Sequence, residues 1–338
     1  MKVLSLFDGI SCGMVALKRI GIHVERYDAF EIDKYAITVS KKNFSDIIHC
    51  GNVFDGDFQK FKGYDLLLGG SPCTYWSIAK KGRETTSDGM GFQLFMEYVR
   101  ALKESQCRYF LYENNYSIHQ NIKNEITKHL GVEPIMINSA LVSAQNRKRC
   151  YWTNIPGVQQ PVDSKILLSD IIDNTSWEGS KYFLTENTIG CAIRSRYRES
   201  GCRSTKRSGG TFAAVEIRKD CKANCITTVT KDSMVMQPIR IGNIGSNAQA
   251  HRVYSVHGKS ITLSANGGGQ GGSTGLYKID LPDGNYFVRK LSPIECERLQ
   301  TLPDNYTAGA SDTQRYKMLG NGWTVDVIAH ILSHLKKF

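Results

Sequence analysis

Short apolar segments alternate with amphipathic segments over the first 155 residues of the chain. The apolar segments predict four strands, in "KVLSLFDG", "ERYDAFEID", "YDLLLGG" and "YFLYEN". Helical spacing of apolar residues predicts helices in "GMVALKRIG", Tyr35 to Lys42, "FQLFMEYVRALKES" and "IKNEITKHLG". The third strand is wholly apolar, as expected for a parallel sheet covered on both faces. The alternation therefore predicts a doubly wound α/β sheet with a ligand crevice at the carboxyl edge of its strands.

The pattern changes after Pro156. Residues 160–285 are rich in Gly, Ser, Thr and Asn, and contain short β-like pieces such as "CITTVTKDSMVM" and "RVYSVHGKSITLSA". No long helical period interrupts them, which is typical of a β-rich insertion with ordered loops. Helical spacing returns in "SPIECERLQTLP" and "TVDVIAHILSHLKK". We therefore predict one domain formed by residues 1–157 and 286–338, with a smaller β-rich domain at residues 158–285 inserted between its two parts.

Positive charge is concentrated in the predicted insertion. The chain has a formal net charge of +11, and the segment from Cys191 to Val253 holds twelve basic residues against four acidic ones. The basic residues are interleaved with Tyr197 and with Gly and Ser, and do not form a lysine-rich tail. A solvated surface is one explanation of such a cluster, but the interleaving favours a surface that binds a polyanion.

Composition narrows the classes of protein to which the chain can belong. Hydrophobic residues make up 41% of the chain, enough for a buried core, and no apolar run reaches the roughly 18 residues of a membrane span. The ten cysteines are scattered, and their closest pair, Cys221 and Cys225, has CxxxC spacing. Because there is no CxxC pair, we expect reduced thiols and no metal. The strand-like start without a signal peptide predicts a cytoplasmic protein.

A loop with two glycines joins the first strand to the first helix. Gly9 and Gly13 in "FDGISCG" let the backbone approach a ligand closely at the N-terminus of that helix. The loop lacks the GxGxxG spacing of dinucleotide sites. Glu31 ends the second strand, where an acidic residue accepts hydrogen bonds from ribose hydroxyls in this topology. A nucleoside-containing cofactor follows, and both NAD and S-adenosylmethionine are open at this point.

Four further fragments carry candidate chemistry. "GGSPC" ends at Cys73, "YENN" contains Glu113, "QNRKR" contains Arg147 and Arg149, and "MLGNGWTV" lies near the C-terminus. Taken singly, they are typical of a buried thiol, a surface acid, a basic face and a turn. Together, and in this order, they match the motif series of the DNA cytosine-5 methyltransferases, so the chain resembles that family.

The resemblance covers residues 1–157 and 286–338. "LSLFDGISCG", "GGSPC" and "SAQNRKRCYW" are most similar to the vertebrate de novo enzymes and their bacterial and phage relatives. "RKLSPIECERLQTLPDNYT" and "RYKMLGNGWTV" are more similar to prokaryotic modification enzymes. The resemblance implies a Rossmann-like sheet of the S-adenosylmethionine-dependent methyltransferases, with a smaller β-rich target-recognition domain in the position of the insertion.

The implied reaction is methyl transfer to C5 of a cytosine in a short specific site of duplex DNA. The base is flipped out of the helix, and the Cys73 thiolate adds to C6, which makes C5 nucleophilic. Glu113 activates the ring by hydrogen bonding at its N3/N4 edge. Arg147 and Arg149 fit donors to the base carbonyl and a neighbouring phosphate.

The implied cofactor is S-adenosylmethionine, with S-adenosylhomocysteine as product. Phe7 is placed against the adenine, the Gly9–Gly13 loop around the methionine moiety, and Glu31 at the ribose. The cofactor-binding residues are Phe7, Asp8, Gly9, Ser11, Gly13, Glu31, Ile32, Asn52, Val53, Ser71, Asn321 and Trp323. Two positions depart from the family: Asn52 replaces an aspartate, and Asn115 replaces a valine. Since Asn52 can still accept a hydrogen bond through its amide oxygen, we expect a modest effect.

The implied partner is double-stranded DNA, bound by a monomer from a bacterium or a phage. Whether a companion restriction endonuclease exists stays open. The residues from Thr74 to Gly91 are the candidate lid over the flipped base. The predicted DNA contacts are Ser77, Arg83, Arg194, Arg196, Arg198, Arg203, Lys206, Arg207 and Lys231.

Three other functions stay open. One branch of the family modifies tRNA, but the long basic insertion fits a DNA enzyme better. A DNA-binding relative without catalysis is disfavoured because Cys73, Glu113, Arg147 and Arg149 are all present. An NAD-dependent oxidoreductase is disfavoured because the dinucleotide fingerprint is missing.

Overall fold

The computed structural model describes residues 1–77, 82–172, 240–244, 248–263, 275–280 and 286–337. Within these ranges seven strands form the main sheet, and their order is β3-β2-β1-β4-β5-β7-β6. The strands are β1 Lys2–Leu6, β2 Arg26–Phe30, β3 Ile48–Gly51, β4 Leu66–Gly69, β5 Tyr109–Asn115, β6 Ile135–Asn138 and β7 Lys148–Thr153. The first five are parallel, and β7 runs antiparallel to both of its neighbours. The predicted α/β fold is confirmed.

The helices connect the strands and complete the domain from the C-terminal part of the chain. They are α1 Cys12–Arg19, α2 Lys34–Asn43, α3 Met90–Ser105, α4 Gln120–Leu130, α5 Pro293–Leu299, α6 Asp312–Asn321 and α7 Val325–Ser333. As predicted, α1 and α4 are followed by glycines, Gly21 and Gly131, whose φ angles are +69° and +68°. The C-terminal helix α7 packs on α1, so the two ends of the chain lie side by side.

The main sheet is buried on both faces. Leu66 and Leu68 of β4 join one hydrophobic core, together with residues of α1 and α7. Leu67 joins the other core, with aromatic residues of α3 and aliphatic residues of α4. Because side chains alternate across a strand, a strand between two cores must be apolar at every position. The wholly apolar "LLL" therefore reflects burial on both faces.

A smaller sheet of four strands forms part of the β-rich region, counted over the described ranges. Its order is β11-β10-β9-β8, with β8 Arg240–Asn243, β9 Arg252–Ser255, β10 Leu276–Asp280 and β11 Tyr286–Arg289. The β-like piece "CITTVTKDSMVM" lies outside the described residues. Strand β11 pairs with β10, although the predicted boundary assigns residue 286 to the larger domain. The domain boundaries stay a prediction.

The chain after β9 returns to the main sheet. The backbone of Ser260 exchanges hydrogen bonds with Ala144 O and Asn146 N at 2.7 and 3.0 Å. The buried Lys259 donates to Ser143 O at 3.0 Å. These bonds hold residues 259–263 against the segment that carries Arg147 and Arg149. Across the described parts of the chain, no helix is long and apolar enough to cross a membrane.

Candidate active site

A cleft lies at the carboxyl edge of β1, β2, β4 and β5, as the fold predicts. It encloses about 960 Å³ of empty space, part of it open to solvent. Its walls include all four predicted catalytic residues, Cys73, Glu113, Arg147 and Arg149. They also include seven of the predicted cofactor-binding residues: Phe7, Asp8, Gly9, Glu31, Ser71, Asn321 and Trp323. The four fragments that carried the family resemblance therefore meet at one place.

One end of the cleft is formed by the loop after β1. Phe7 and Gly9 both have positive φ angles, of 57° and 60°, so the backbone turns sharply. The Asp8 carboxylate holds this turn by accepting from Ser5 Oγ at 2.6 Å and Tyr27 OH at 2.7 Å, and from Ser11 Oγ at 2.5 Å. Burial raises the pKa of Asp8, and these hydroxyl donors partly oppose the rise. Asp8 therefore organises the loop.

Glu31 joins this loop to the end of β2. Its Oε2 accepts from Gly9 N at 2.8 Å, and its Oε1 accepts from Ile32 N at 2.7 Å and Asp33 N at 2.8 Å. Burial raises the pKa of Glu31, and the backbone donors lower it in part. A carboxylate offers about four acceptor positions, so one is left for a ligand hydroxyl. The predicted interaction with a ribose is compatible with this geometry.

Five predicted cofactor residues lie outside the wall of the cleft: Ser11, Gly13, Ile32, Asn52 and Val53. Ser11 is buried and bonds to Asp8 and Ser40. Gly13 serves packing, since a Cβ there would lie 2.6 Å from Leu68 Cδ1. Asn52 caps a short turn through Phe54 N at 3.2 Å. Their role in binding a cofactor stays a prediction.

Two charged residues of the wall were missed by sequence reasoning. Lys317 Nζ and Asp33 Oδ2 form an ion pair of 2.7 Å at the cofactor end. Asp33 is also the N-cap of α2, where its Oδ1 accepts from Tyr35 N at 2.9 Å. Burial raises the pKa of Asp33, but the Lys317 ammonium and the backbone donors bring it below its usual value. Lys317 lies in α6, a helix that we did not predict.

Cys73 begins a single helical turn, Cys73–Tyr75, just after β4. Its thiol is free and half-buried in the cleft wall. The turn before it is held from β5, because Asn114 Nδ2 donates to Ser71 O at 3.2 Å and Tyr112 OH lies 2.6 Å from Ser71 Oγ. The nucleophile candidate is therefore presented by a fixed loop.

The segment predicted to form the lid is anchored by Trp76 and Glu84. Trp76 is fully buried, and its Nε1 donates to Glu84 Oε2 at 3.1 Å. Glu84 N also donates to Tyr75 O at 3.0 Å, which closes the segment between them. Residues 78–81 lie outside the described ranges. Lid closure stays a prediction.

The Glu113 carboxylate has a donor on each oxygen. Arg149 Nε lies 2.9 Å from Oε1, and Trp323 Nε1 donates to Oε2 at 2.9 Å. Only 12% of the Glu113 side chain and 11% of the Arg149 side chain are exposed. Glu113 is therefore an oriented carboxylate inside the cleft and not a surface acid.

Within the protein, Arg147 is bound to backbone carbonyls. Its buried guanidinium donates to Gly320 O at 3.1 Å, Gly322 O at 2.9 Å and Leu263 O at 3.2 Å. Desolvation, followed by repulsion from Arg149, lowers the pKa of Arg147 to about 10. The guanidinium joins the end of α6 to the returning segment, and the predicted contacts of Arg147 and Arg149 with the base and a phosphate stay predictions.

Only two of the predicted DNA contacts lie within the described residues. Ser77 follows the turn of Cys73, and Arg83 Nη1 donates to Ser117 O at 2.8 Å. The others lie outside these ranges: Arg194, Arg196, Arg198, Arg203, Lys206, Arg207 and Lys231. The DNA surface stays a prediction. Nowhere in the described ranges do three or more His, Cys, Asp or Glu side chains form a group that could hold a metal ion.

Comparison with known proteins gives the family context. A sequence model described as C-5 cytosine-specific DNA methylase matches residues 1–337. The orphan methyltransferase M.Rho11sI of Bacillus phage rho11s is 30% identical over 326 residues, which cover 83% of this chain and 61% of that enzyme. The type II methyltransferase M.HhaI of Haemophilus parahaemolyticus is 26% identical over 98% of this chain and 93% of its own length.

Solved structures support the same fold. The Entamoeba histolytica methyltransferase EhMeth superposes with a TM-score of 0.67 at 15% identity, covering 100% of this chain and 98% of its own. The Dnmt2 methyltransferase of S. pombe superposes with a TM-score of 0.63 at 12% identity, covering the same fractions.

Proposed function

The chain belongs to the family of C-5 cytosine-specific DNA methylases, and from this premise we propose that it methylates C5 of a cytosine flipped out of duplex DNA, with S-adenosylmethionine as methyl donor and Cys73 as covalent nucleophile. One observation carries the proposal. A single cleft holds a free thiol, an oriented carboxylate and an arginine at one end, and a loop suited to a nucleoside at the other. Methyl transfer to a base needs both ends within reach of each other.

The residues at the cofactor end fit a nucleoside with an amino-acid tail. Glu31 offers acceptors to ribose hydroxyls, and Phe7 offers an aromatic face to a purine. A Cβ built at Gly9 would meet no atom within 4 Å, so the backbone there leaves open space beside the loop. When bound, S-adenosylmethionine supplies an electrophilic methyl group on sulfur and leaves as S-adenosylhomocysteine.

The residues at the other end supply the activation of the base. The Cys73 thiolate forms a bond to C6, the C5–C6 electron pair moves to form a C4–C5 double bond, and the C4–N3 pair moves onto N3. A proton shared between Glu113 and N3 neutralises the negative charge that develops at N3, and Arg149 donates a hydrogen bond to the base carbonyl. C5 then bonds to the methyl group, loses its proton to solvent, and expels the Cys73 thiolate as the double bond re-forms.

The test uses tritiated S-adenosylmethionine with duplex DNA or tRNA, and a second duplex that contains 5-fluorocytosine. We expect label in DNA and a denaturation-resistant protein–DNA adduct with the fluorinated duplex, because C5 then carries no proton to lose. Label in tRNA alone would assign the RNA function. DNA binding without label in either substrate would assign the non-catalytic one. Bisulfite sequencing of the methylated DNA identifies the target site.

A further inference from the structure

Trp323 contacts both ends of the cleft. We propose that it is a positioning residue for Glu113: the indole that closes the cofactor pocket also holds the ring-activating carboxylate through its N–H group. This inference rests on the proposed function, since it concerns the activation of the cytosine. It differs from the sequence prediction, in which Trp323 serves cofactor binding alone.

The first support is the position of the ring. One edge of the indole approaches α1, where its Cζ3 lies 3.8 Å from the position that a Cβ on Gly13 would take. The pyrrole edge reaches β5, where Nε1 donates to Glu113 Oε2 at 2.9 Å. The ring thus spans the distance between the helix that follows the cofactor loop and the strand that carries the acid.

The second support is the space around this contact. A Cβ at Gly70 would lie 3.1 Å from Glu113 Oε2 and 3.4 Å from Trp323 Nε1. Both distances are at or below ordinary van der Waals contact, so a side chain at Gly70 would push against the pair. The end of β4 therefore packs directly against the hydrogen bond with bare backbone.

The third support is the rigidity of the segment that carries Trp323. Arg147 binds the carbonyls of Gly320 and Gly322, just before the tryptophan. Gln300 Nε2 donates to Leu319 O at 2.6 Å, and its Oε1 accepts from Thr324 Oγ1 at 2.8 Å, just after it. Gln300 and Thr324 are buried. The backbone on both sides of Trp323 is therefore tied to buried side chains, and the indole is held in place.

The consequence for catalysis follows from the two donors. With Arg149 on one oxygen and Trp323 on the other, the plane of the Glu113 carboxylate is defined. Without the indole N–H group, Glu113 Oε2 loses this hydrogen bond, and the carboxylate can rotate about the Cγ–Cδ bond. Misplacement of a reacting group by about 1 Å costs up to roughly a hundredfold in rate.

The experiment compares Trp323→Phe with wild type in three measurements. Calorimetric affinity for S-adenosylhomocysteine should stay within about threefold, because phenylalanine keeps an aromatic wall. The kcat for duplex DNA should fall by about tenfold to a hundredfold. Exchange of tritium from C5 of cytosine in DNA, measured without methyl donor, should fall by a similar factor, because it requires only addition of Cys73 and activation by Glu113.

Trp152→Phe is the matched control. Its Nε1 donates to Thr127 Oγ1 of α4 at 3.0 Å, and neither residue lines the cleft, so an indole hydrogen bond of the same kind is lost at a structural position. We expect wild-type exchange and methylation from it. Thermal melting of both variants compares the stability that each hydrogen bond contributes.

The inference is overturned if Trp323→Phe exchanges tritium at the wild-type rate, or if it loses only S-adenosylhomocysteine affinity. If Trp323→Phe does not fold, Gly70→Ala replaces it, and the same loss of exchange with retained affinity is expected from the crowding of Oε2. Wild-type exchange by Gly70→Ala would overturn it too. If the wild-type protein itself neither exchanges tritium nor methylates DNA or tRNA, the proposed function fails instead.

Discussion

The side chains of Asp8 and Glu31 at the cofactor end and those of Glu113 and Arg147 at the base end are held by hydrogen bonds of different range. At the cofactor end, Asp8 bonds to side chains three residues away, and Glu31 bonds to the two residues that follow it. At the base end, Trp323 and Glu113 are 210 residues apart. Arg147 and Gly320 are 173 apart. The side chains of Asp8 and Glu31 are held by residues at most 22 positions away. Lys317 also reaches this end, where it pairs with Asp33 across 284 residues. The positions of Glu113 and Arg147, by contrast, depend on the C-terminal segment. Substitutions of Asp8 or Glu31 should therefore affect the cofactor end alone, whereas substitutions at the base end should affect the whole fold.

Cys73→Ala is expected to have the largest effect, which is the loss of all methylation. No other group in the proposed reaction forms the bond to C6. Affinity for duplex DNA should stay within a few-fold of wild type, because one sulfur atom is removed without loss of charge. Filter binding and methyl transfer measure the two quantities. Cys107→Ala, at a buried thiol outside the cleft, should keep the wild-type rate. Methylation by Cys73→Ala at the wild-type rate would falsify the covalent mechanism.

Arg147→Met should be the most destabilising change at the base end. It removes a buried charge but leaves the carbonyls of Leu263, Gly320 and Gly322 without this donor. We expect the free energy of unfolding to fall by about 2–4 kcal/mol. Urea unfolding measures it. The control is Arg108→Met, since Arg108 is exposed and lies over the Tyr109 ring. Equal stability of the two variants would contradict the role of Arg147 in joining these segments.

Glu31→Ala tests the local character of the cofactor end. It removes the acceptor for Gly9 N and the acceptor offered to ribose hydroxyls. S-adenosylhomocysteine should bind about tenfold to thirtyfold more weakly, which corresponds to about two hydrogen bonds. At saturating cofactor kcat should recover, unlike in Trp323→Phe. Glu25→Ala, at an exposed acid at the opposite end of β2, should bind normally. A fall in kcat that saturation does not restore would argue against the separation of the two ends.

The smallest expected effect is an opposite pH dependence of stability at two acids of the cofactor end. In the folded protein the pKa of Asp8 is raised above its ordinary value of 3.8. Ionisation of Asp8 therefore lowers the free energy of unfolding as pH rises from 3.8 to the pKa in the folded protein. The folded pKa of Asp33 is lowered, so its stabilisation is present above 3.8 and is lost as pH falls through the folded value. Urea unfolding from about pH 3 to 7 should show that wild type loses stability relative to Asp8→Asn with rising pH, and gains relative to Asp33→Asn. The same slope for both variants would show that these assignments are wrong.

Sequence reasoning recovered what depends on local pattern. The apolar run before Cys73, the glycines after α1 and α4, and the position of Glu31 at a strand end all follow from neighbouring residues. It missed β6, which is only four residues long. It also missed β7, whose first two residues are the basic pair Lys148 and Arg149. It also missed α6, because "DTQRYKMLGN" has few apolar positions and ends in residues typical of a turn.

The partners of the site residues could not be predicted in the same way. The motif "QNRKR" predicts that Arg147 and Arg149 are donors to a base or a phosphate, but it does not predict that the end of α6 brings backbone carbonyls against Arg147. The bond between Trp323 and Glu113 joins two fragments that sequence reasoning had assigned to different ends of the cleft. Spacing along one chain carries no information about contacts of this range. The fold has to be known first.

The packing of α7 against α1 also means that the cleft is completed late in the synthesis of the chain. The ribosome makes β1 to β5 and both glycine turns within the first 131 residues, yet Asn321 and Trp323 follow only about 190 residues later. Until they do, the cleft lacks one wall and Glu113 lacks one of its two donors. A chain interrupted before residue 323 should therefore carry the thiol without the means to use it.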